Sequence, residues 1–118
     1  MQIYFTPEER RICFNILGMV FKHLNTNSKK DIRLFKQVQN KFGKPTHKTV
    51  LKKPEAEMLL QIFHQILEAR EFKSEEEQEY FNSLSEDEKN IHAGYNTILL
   101  ILMEKLNKKL GIENVQSN

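Results

Sequence analysis

Six consecutive apolar residues, Ile98-Leu99-Leu100-Ile101-Leu102-Met103, lie inside a helical pattern that runs from Ile91 to Leu110. At 100° per residue Ile91, Tyr95, Ile98, Leu99, Leu102, Leu106 and Leu110 share one face, while Leu100, Ile101 and Met103 point away from it. A helical turn with no polar side has to be covered all round. Six residues fall far short of the ~20 that span a bilayer, so no membrane segment is expected and the cover is protein, either other helices or a second chain. Leu100, Ile101 and Met103 are therefore the candidate oligomer or partner interface.

Punctuation along the chain places the remaining elements. Met1 to Phe5 is a short β-prone run that ends at Thr6-Pro7-Glu8-Glu9, a capping-box spacing with proline at the first helical position, so helix 1 starts there. Its apolar set, from Ile12 to Leu24, covers more than half the circumference. Asn25-Thr26-Asn27-Ser28 reads as a turn, and Ser28 with Asp31 as the cap of helix 2. Helix 2, Lys29 to Phe42, is two-sided, with Leu34, Phe35, Val38 and Phe42 inward, and Gly43 is its expected left-handed stop, followed by Pro45. Lys48 to Leu51 is a short extended candidate. Helix 3 runs from Pro54 to about Phe72, and Ser74/Glu77 and Ser85/Glu88 cap a short helix Glu75 to Leu84 and a last helix Glu86 to Leu110, stopped by Gly111.

Sliding the chain on itself by 46 residues brings Phe5 onto Leu51, Glu9 onto Glu55, Ile12 onto Met58, Ile16 onto Ile62 and Val20 onto Ile66. Two readings stand: a duplicated strand-helix unit, or two amphipathic helices that happen to fall in phase. The first pairs the two β-prone runs as a ribbon, which needs helix packing to persist. The expected fold is all-α, a compact bundle of four to five helices with a minor two-stranded β-ribbon (residues 1-5 and 48-52). It forms a single domain over 1-111 with a flexible tail at 112-118. A length of 118 residues suits one core, and 39% apolar with 29% charged residues is a globular balance.

The net charge of +2 hides a division. Residues 1-54 carry twelve Lys or Arg against three acids, residues 55-118 six against thirteen, so the halves are +9 and −7. Separated fields of opposite sign steer partners and pair with each other. From Lys29 to Lys53 there are nine cations and one acid, and Lys30, Arg33, Lys36, Lys41, Lys44, Lys48, Lys52 and Lys53 are the candidate contacts to nucleic acid or an acidic partner. Glu75, Glu76, Glu79, Glu86 and Asp87 form a candidate acidic docking surface. A helix-turn-helix can be laid over Leu34 to Lys53 with Thr46 to Lys53 as recognition helix, but Pro54 would stunt it and the strand competes for the same residues.

Catalytic motifs are missing. The four glycines are scattered, which excludes a Walker loop or dinucleotide turn, and the single Cys13 sits on an apolar helix as a buried hydrophobe rather than a thiolate. The four histidines are far apart, and Glu88 with His92 is only a fraction of a di-metal bundle pattern. No enzyme, cofactor or metal is expected. The lone cysteine and the lack of a leader give a reduced, cytoplasmic setting as the expectation. The favoured function is a small regulatory or adaptor protein that acts by protein-protein binding as a homodimer, of a bacterial or phage accessory type. The alternative is a nucleic-acid-binding protein that uses segment 29-53 for phosphate contacts with low sequence specificity, since lysine suits backbone attraction better than base reading.

Overall fold

A computed structural model describes residues 1-23, 28-44 and 48-116, with side chains up to Gly111. The elements in chain order are β1 Gln2–Tyr4, α1 Pro7–Lys22, α2 Lys29–Gly43, β2 Lys48–Val50, α3 Lys53–Ala69, α4 Glu75–Ser83 and α5 Glu86–Gln116. The helical bundle with one small ribbon is the expected architecture. The turn at 25-27, Leu24, Pro45, His47 and residues 117-118 lie outside the described residues.

The ribbon is antiparallel, with Gln2 facing Val50, Ile3 facing Thr49 and Tyr4 facing Lys48. Ile3 and Thr49 are themselves 46 residues apart, and the same step carries the Gln2–Val50 pair onto Lys48–Tyr4. The ribbon thus has a local two-fold axis through its central pair. The helices obey the same step. Glu9 and Glu55 each fold back on their own helix N-terminus, accepting from Thr6 N at 2.8 Å and from Lys52 N at 2.7 Å. Phe5 and Leu51, Cys13 and Leu59, Ile16 and Ile62, and Leu17 and Phe63 are buried in pairs. Of the two readings of the 46-residue offset, the structure has the strand-helix unit twice.

A second correspondence extends the unit to strand-helix-helix. A step of 64 carries the buried Phe35, Val38 and Phe42 of α2 onto the buried Leu99, Leu102 and Leu106 of α5. It also carries Lys41 onto Lys105. These two lysines reach across the axis: Lys41 of the first unit donates to Glu55 of the second, and Lys105 of the second to Glu9 of the first, both at 2.6 Å. In the same way α2 packs on α1 and touches β2, whereas α5 packs on α3 and touches β1. The grooves match too, one lined by Ile12, Asn15, Ile16, Met19 and Tyr95, the other including Met58, Gln61, Ile62, Gln65 and Asp31. Burial pushes the Glu9 carboxyl up. Hydrogen bonds from Lys105 and Thr6, with the Lys105 charge, outweigh this and hold it below its usual value.

The second unit carries eighteen extra residues between its helices, which form α4 and the first turns of α5. Helix α4 buries none of its own residues. It is held by Phe72 on Phe81 at 4.8 Å and by the His92 ring, 5.2 Å from Phe72 and 5.7 Å from Phe81. Arg70 Nη2 donates to His92 Nδ1 at 2.9 Å, a bond that needs Nδ1 unprotonated. Burial and the Arg70 charge lower the His92 pKa. The group therefore binds its proton more weakly folded than unfolded. Its contribution is complete above the unfolded value near 6.5 and is lost as pH falls through the folded one. Corrected for the intrinsic exchange rate, which itself falls with pH, the protection of the α4 amides should drop between about pH 7 and pH 5, and His92→Gln should flatten that drop.

Three local expectations are corrected. Gly43 is the last residue of α2 but not left-handed, and no glycine among the described residues has a positive φ. The buried Arg10 satisfies the carbonyls at this end: its Nη2 donates to those of Lys41 and Lys44, both at 2.7 Å, and its Nη1 donates to Thr49 Oγ1. Glycine is suited to position 43 by close packing, since a Cβ there would meet Phe14 at 3.2 Å. Nor does Gly111 stop the last helix, which continues to Gln116 because that glycine keeps a right-handed backbone. Ile91, read as inward, is 73% exposed, since it precedes the part of α5 that repeats α2.

Candidate nucleic-acid interface

Alternation along each strand separates two faces of the ribbon. Ile3 and Thr49 turn inward, and Gln2, Tyr4, Lys48 and Val50 turn outward, with Tyr4 55% and Val50 58% exposed. An aromatic and a β-branched side chain thus stand in solvent on a two-stranded ribbon backed by the ends of two helices. Lys105 braces this face from one side: its ammonium donates to the Tyr4 carbonyl at 3.2 Å and lies 5.7 Å from the Tyr4 ring centre.

A cationic strip adjoins the second strand. Lys29, Ile32, Arg33, Lys36, Gln37 and Asn40 line a shallow groove of about 340 Å³ along α2. Gln37 and Asn40 also line a second one of about 300 Å³ with Lys41, Lys44, Lys52 and Glu55, so the two form one polar track from the start of α2 to the start of α3. The capped, amphipathic α2 explains this placement. Its apolar stripe faces α1 and α3, which leaves Lys29, Lys30, Arg33, Lys36, Gln37 and Asn40 to solvent.

Of the eight cations expected at a partner surface, Lys30, Arg33, Lys36, Lys44, Lys48, Lys52 and Lys53 are exposed. Lys41 is the exception. It is half-buried and committed to Glu55, whose carboxylate is 1% exposed, because the position faces the other unit across the two-fold. A strand at Lys48–Val50 also rules out the recognition helix of a helix-turn-helix over the same residues. Gln2, Tyr4 and Val50 were not singled out from sequence. The signal was the period-two alternation of the two β-prone runs, whose outward positions the ribbon makes functional candidates.

The other candidate groups divide. Leu100 is 57% and Ile101 42% exposed on the outer side of α5, whereas Met103 packs against the core because α5 is covered by both α3 and β1. Glu75, Glu76, Glu79, Glu86 and Asp87 are exposed on α4 and the start of α5. Ion pairs of the acidic stretch among the described residues are local, His64 with Glu68 at 3.5 Å and Lys73 with Glu71 at 3.8 Å.

The groups gathered here are polar amides, cations and two apolar side chains, with no nucleophile or general base among them. Burial pushes the Cys13 thiol up to about 12, so it stays protonated. No group of three or more metal-ligating side chains forms among the described residues, and no helix among them is long and apolar enough to cross a membrane. Searches against protein-family models, curated proteins and solved structures find no match to this chain.

Proposed function

We propose that this protein binds duplex DNA, with the ribbon entering the major groove and the track from Lys29 to Lys53 lying on the phosphate backbone. The observation that carries the reading is the solvent-facing ribbon, with exposed Tyr4 and Val50, beside a strip of exposed cations. The major groove of B-DNA admits a two-stranded ribbon, and several DNA readers use one. The outward residues suit that place. Gln2 offers the bidentate amide that pairs with adenine, Lys48 donates to guanine, and Val50 and Tyr4 supply apolar contact to thymine methyls. Exposed lysines and Arg33 add attraction that positions without specifying.

The two halves of the ribbon are unlike, because the step of 46 sets Gln2 against Lys48 and Tyr4 against Val50. The preferred site is therefore asymmetric. Selection from a random duplex pool should enrich a short non-palindromic motif, and the pair Tyr4→Ala with Val50→Ala should weaken binding to it about tenfold or more while affinity for random duplex changes little. A pool without enrichment, bound equally by wild type and variant, would remove the ribbon from the interface.

Protein binding as a homodimeric regulator is the second reading. One observation favours it: Leu100 and Ile101 stand exposed at the positions where the repeat puts the polar Lys36 and Gln37 in α2.

A further inference from the structure

The outer side of α5 differs in kind from that of its counterpart α2. From Asp87 a seven-residue step runs through Gly94, Ile101 and Lys108, a row that drifts by only about 20° per step and so forms one continuous seam. All four residues are exposed, and none of them makes a side-chain hydrogen bond or ion pair among the described residues. A Cβ built at Gly94 would meet nothing within 4 Å, so this row holds an open position without a side chain, an exposed Ile101, an anion at one end and a cation at the other.

Such a row is self-complementary in one direction only. Laid antiparallel on a second copy, Ile101 of each chain enters the space over Gly94 of the other, and Asp87 of each meets Lys108 of the other. The axis then passes near Thr97, and Leu100 flanks the seam. The wider charge pattern agrees, since Glu86, Asp87 and Glu88 open α5 and Lys108 and Lys109 lie near the end of its described side chains. A parallel arrangement stacks like charge on like charge and aligns the helix dipoles, whereas the antiparallel one opposes both. We infer that the outer face of α5 is the interface between two copies of this chain, paired antiparallel about a two-fold axis with Ile101 over Gly94 and Asp87 against Lys108. This rests on the self-association reading above and gives it an orientation and a register.

The apolar part of the seam is small, so the dimer is of moderate affinity and concentration-dependent. Sedimentation velocity of the full chain from about 5 µM to about 500 µM should show a rising dimer fraction. Ile101→Lys, at an exposed position, should be monomeric throughout with an unchanged helical circular dichroism signal. Asp87→Lys should weaken the dimer about tenfold, and the exchange Asp87→Lys with Lys108→Asp should restore it. A wild-type monomer at every concentration would remove self-association itself. A dimer that Ile101→Lys leaves intact would keep self-association and overturn the α5 interface, and a dimer lost in Ile101→Lys that the charge exchange fails to restore would overturn the antiparallel register.

Discussion

Replacing Leu102 by Asp unfolds the protein, whereas Leu100→Asp two residues earlier leaves its helical signal intact. Leu102 is fully buried in the cluster shared by both units, beside Leu99 and Leu106. The substitution removes an apolar side chain worth several kcal/mol and places a carboxylate where no cation is supplied. The combined cost, about 5 kcal/mol or more, is comparable with the whole stability of a small domain. Leu100 already stands in water, so a charge there costs the fold little. Far-ultraviolet circular dichroism and thermal melts of the two variants separate core from surface on one helix.

Changing Lys30, Arg33, Lys36 and Lys44 together to Ala is expected to leave folding unchanged and to lower affinity for duplex DNA about 10²- to 10³-fold at moderate salt. The salt dependence should flatten as well, by about one unit of log-log slope for each phosphate contact removed. Lys41 is not a clean probe of binding. Its loss would strand the buried Glu55 carboxylate, and reduced binding would then report damage to the fold. Titration of labelled duplex against the variant, with circular dichroism alongside, checks both halves of the expectation.

Much of this fold is legible in spacings fixed along the chain. The capping box at Thr6/Glu9 and the Ser74 cap on Glu77 N share a three-residue spacing, and they start α1 and α4 where that spacing puts them. The 46-residue step is legible because strand and helix keep their spacing in both units. By contrast, the 64-residue step from α2 to α5 is hidden by eighteen inserted residues and by a change in outer face from Lys36 and Gln37 to Leu100 and Ile101. Helix ends were the weaker part. A glycine stops a helix only when the backbone turns left-handed, and Gly43 and Gly111 do not turn. The carbonyls of Lys41 and Lys44 at the end of α2 are satisfied by Arg10, more than thirty residues earlier in the chain, and no local pattern announces such a contact.

The candidate interface was half legible for a related reason. A run of cations can be counted in sequence, but which of them is spent inside the fold depends on the two-fold arrangement that sets Lys41 against Glu55. The outward residues of the ribbon become meaningful only once the two strands are paired. Met103 moves from surface to core because a helix covered on two sides buries a wider arc than its hydrophobic stripe suggests.

The central claim is that the ribbon and the Lys29 to Lys53 track meet duplex DNA, and the most direct measurement is affinity for a labelled random duplex and a single strand at about 50 mM and about 200 mM salt. Six phosphate contacts predict a fall of about 10³-fold over that range, with the duplex bound more tightly than the single strand. No binding at the lower salt, or an affinity that ignores salt, would contradict the claim and return the basic face to solvent or to a protein partner.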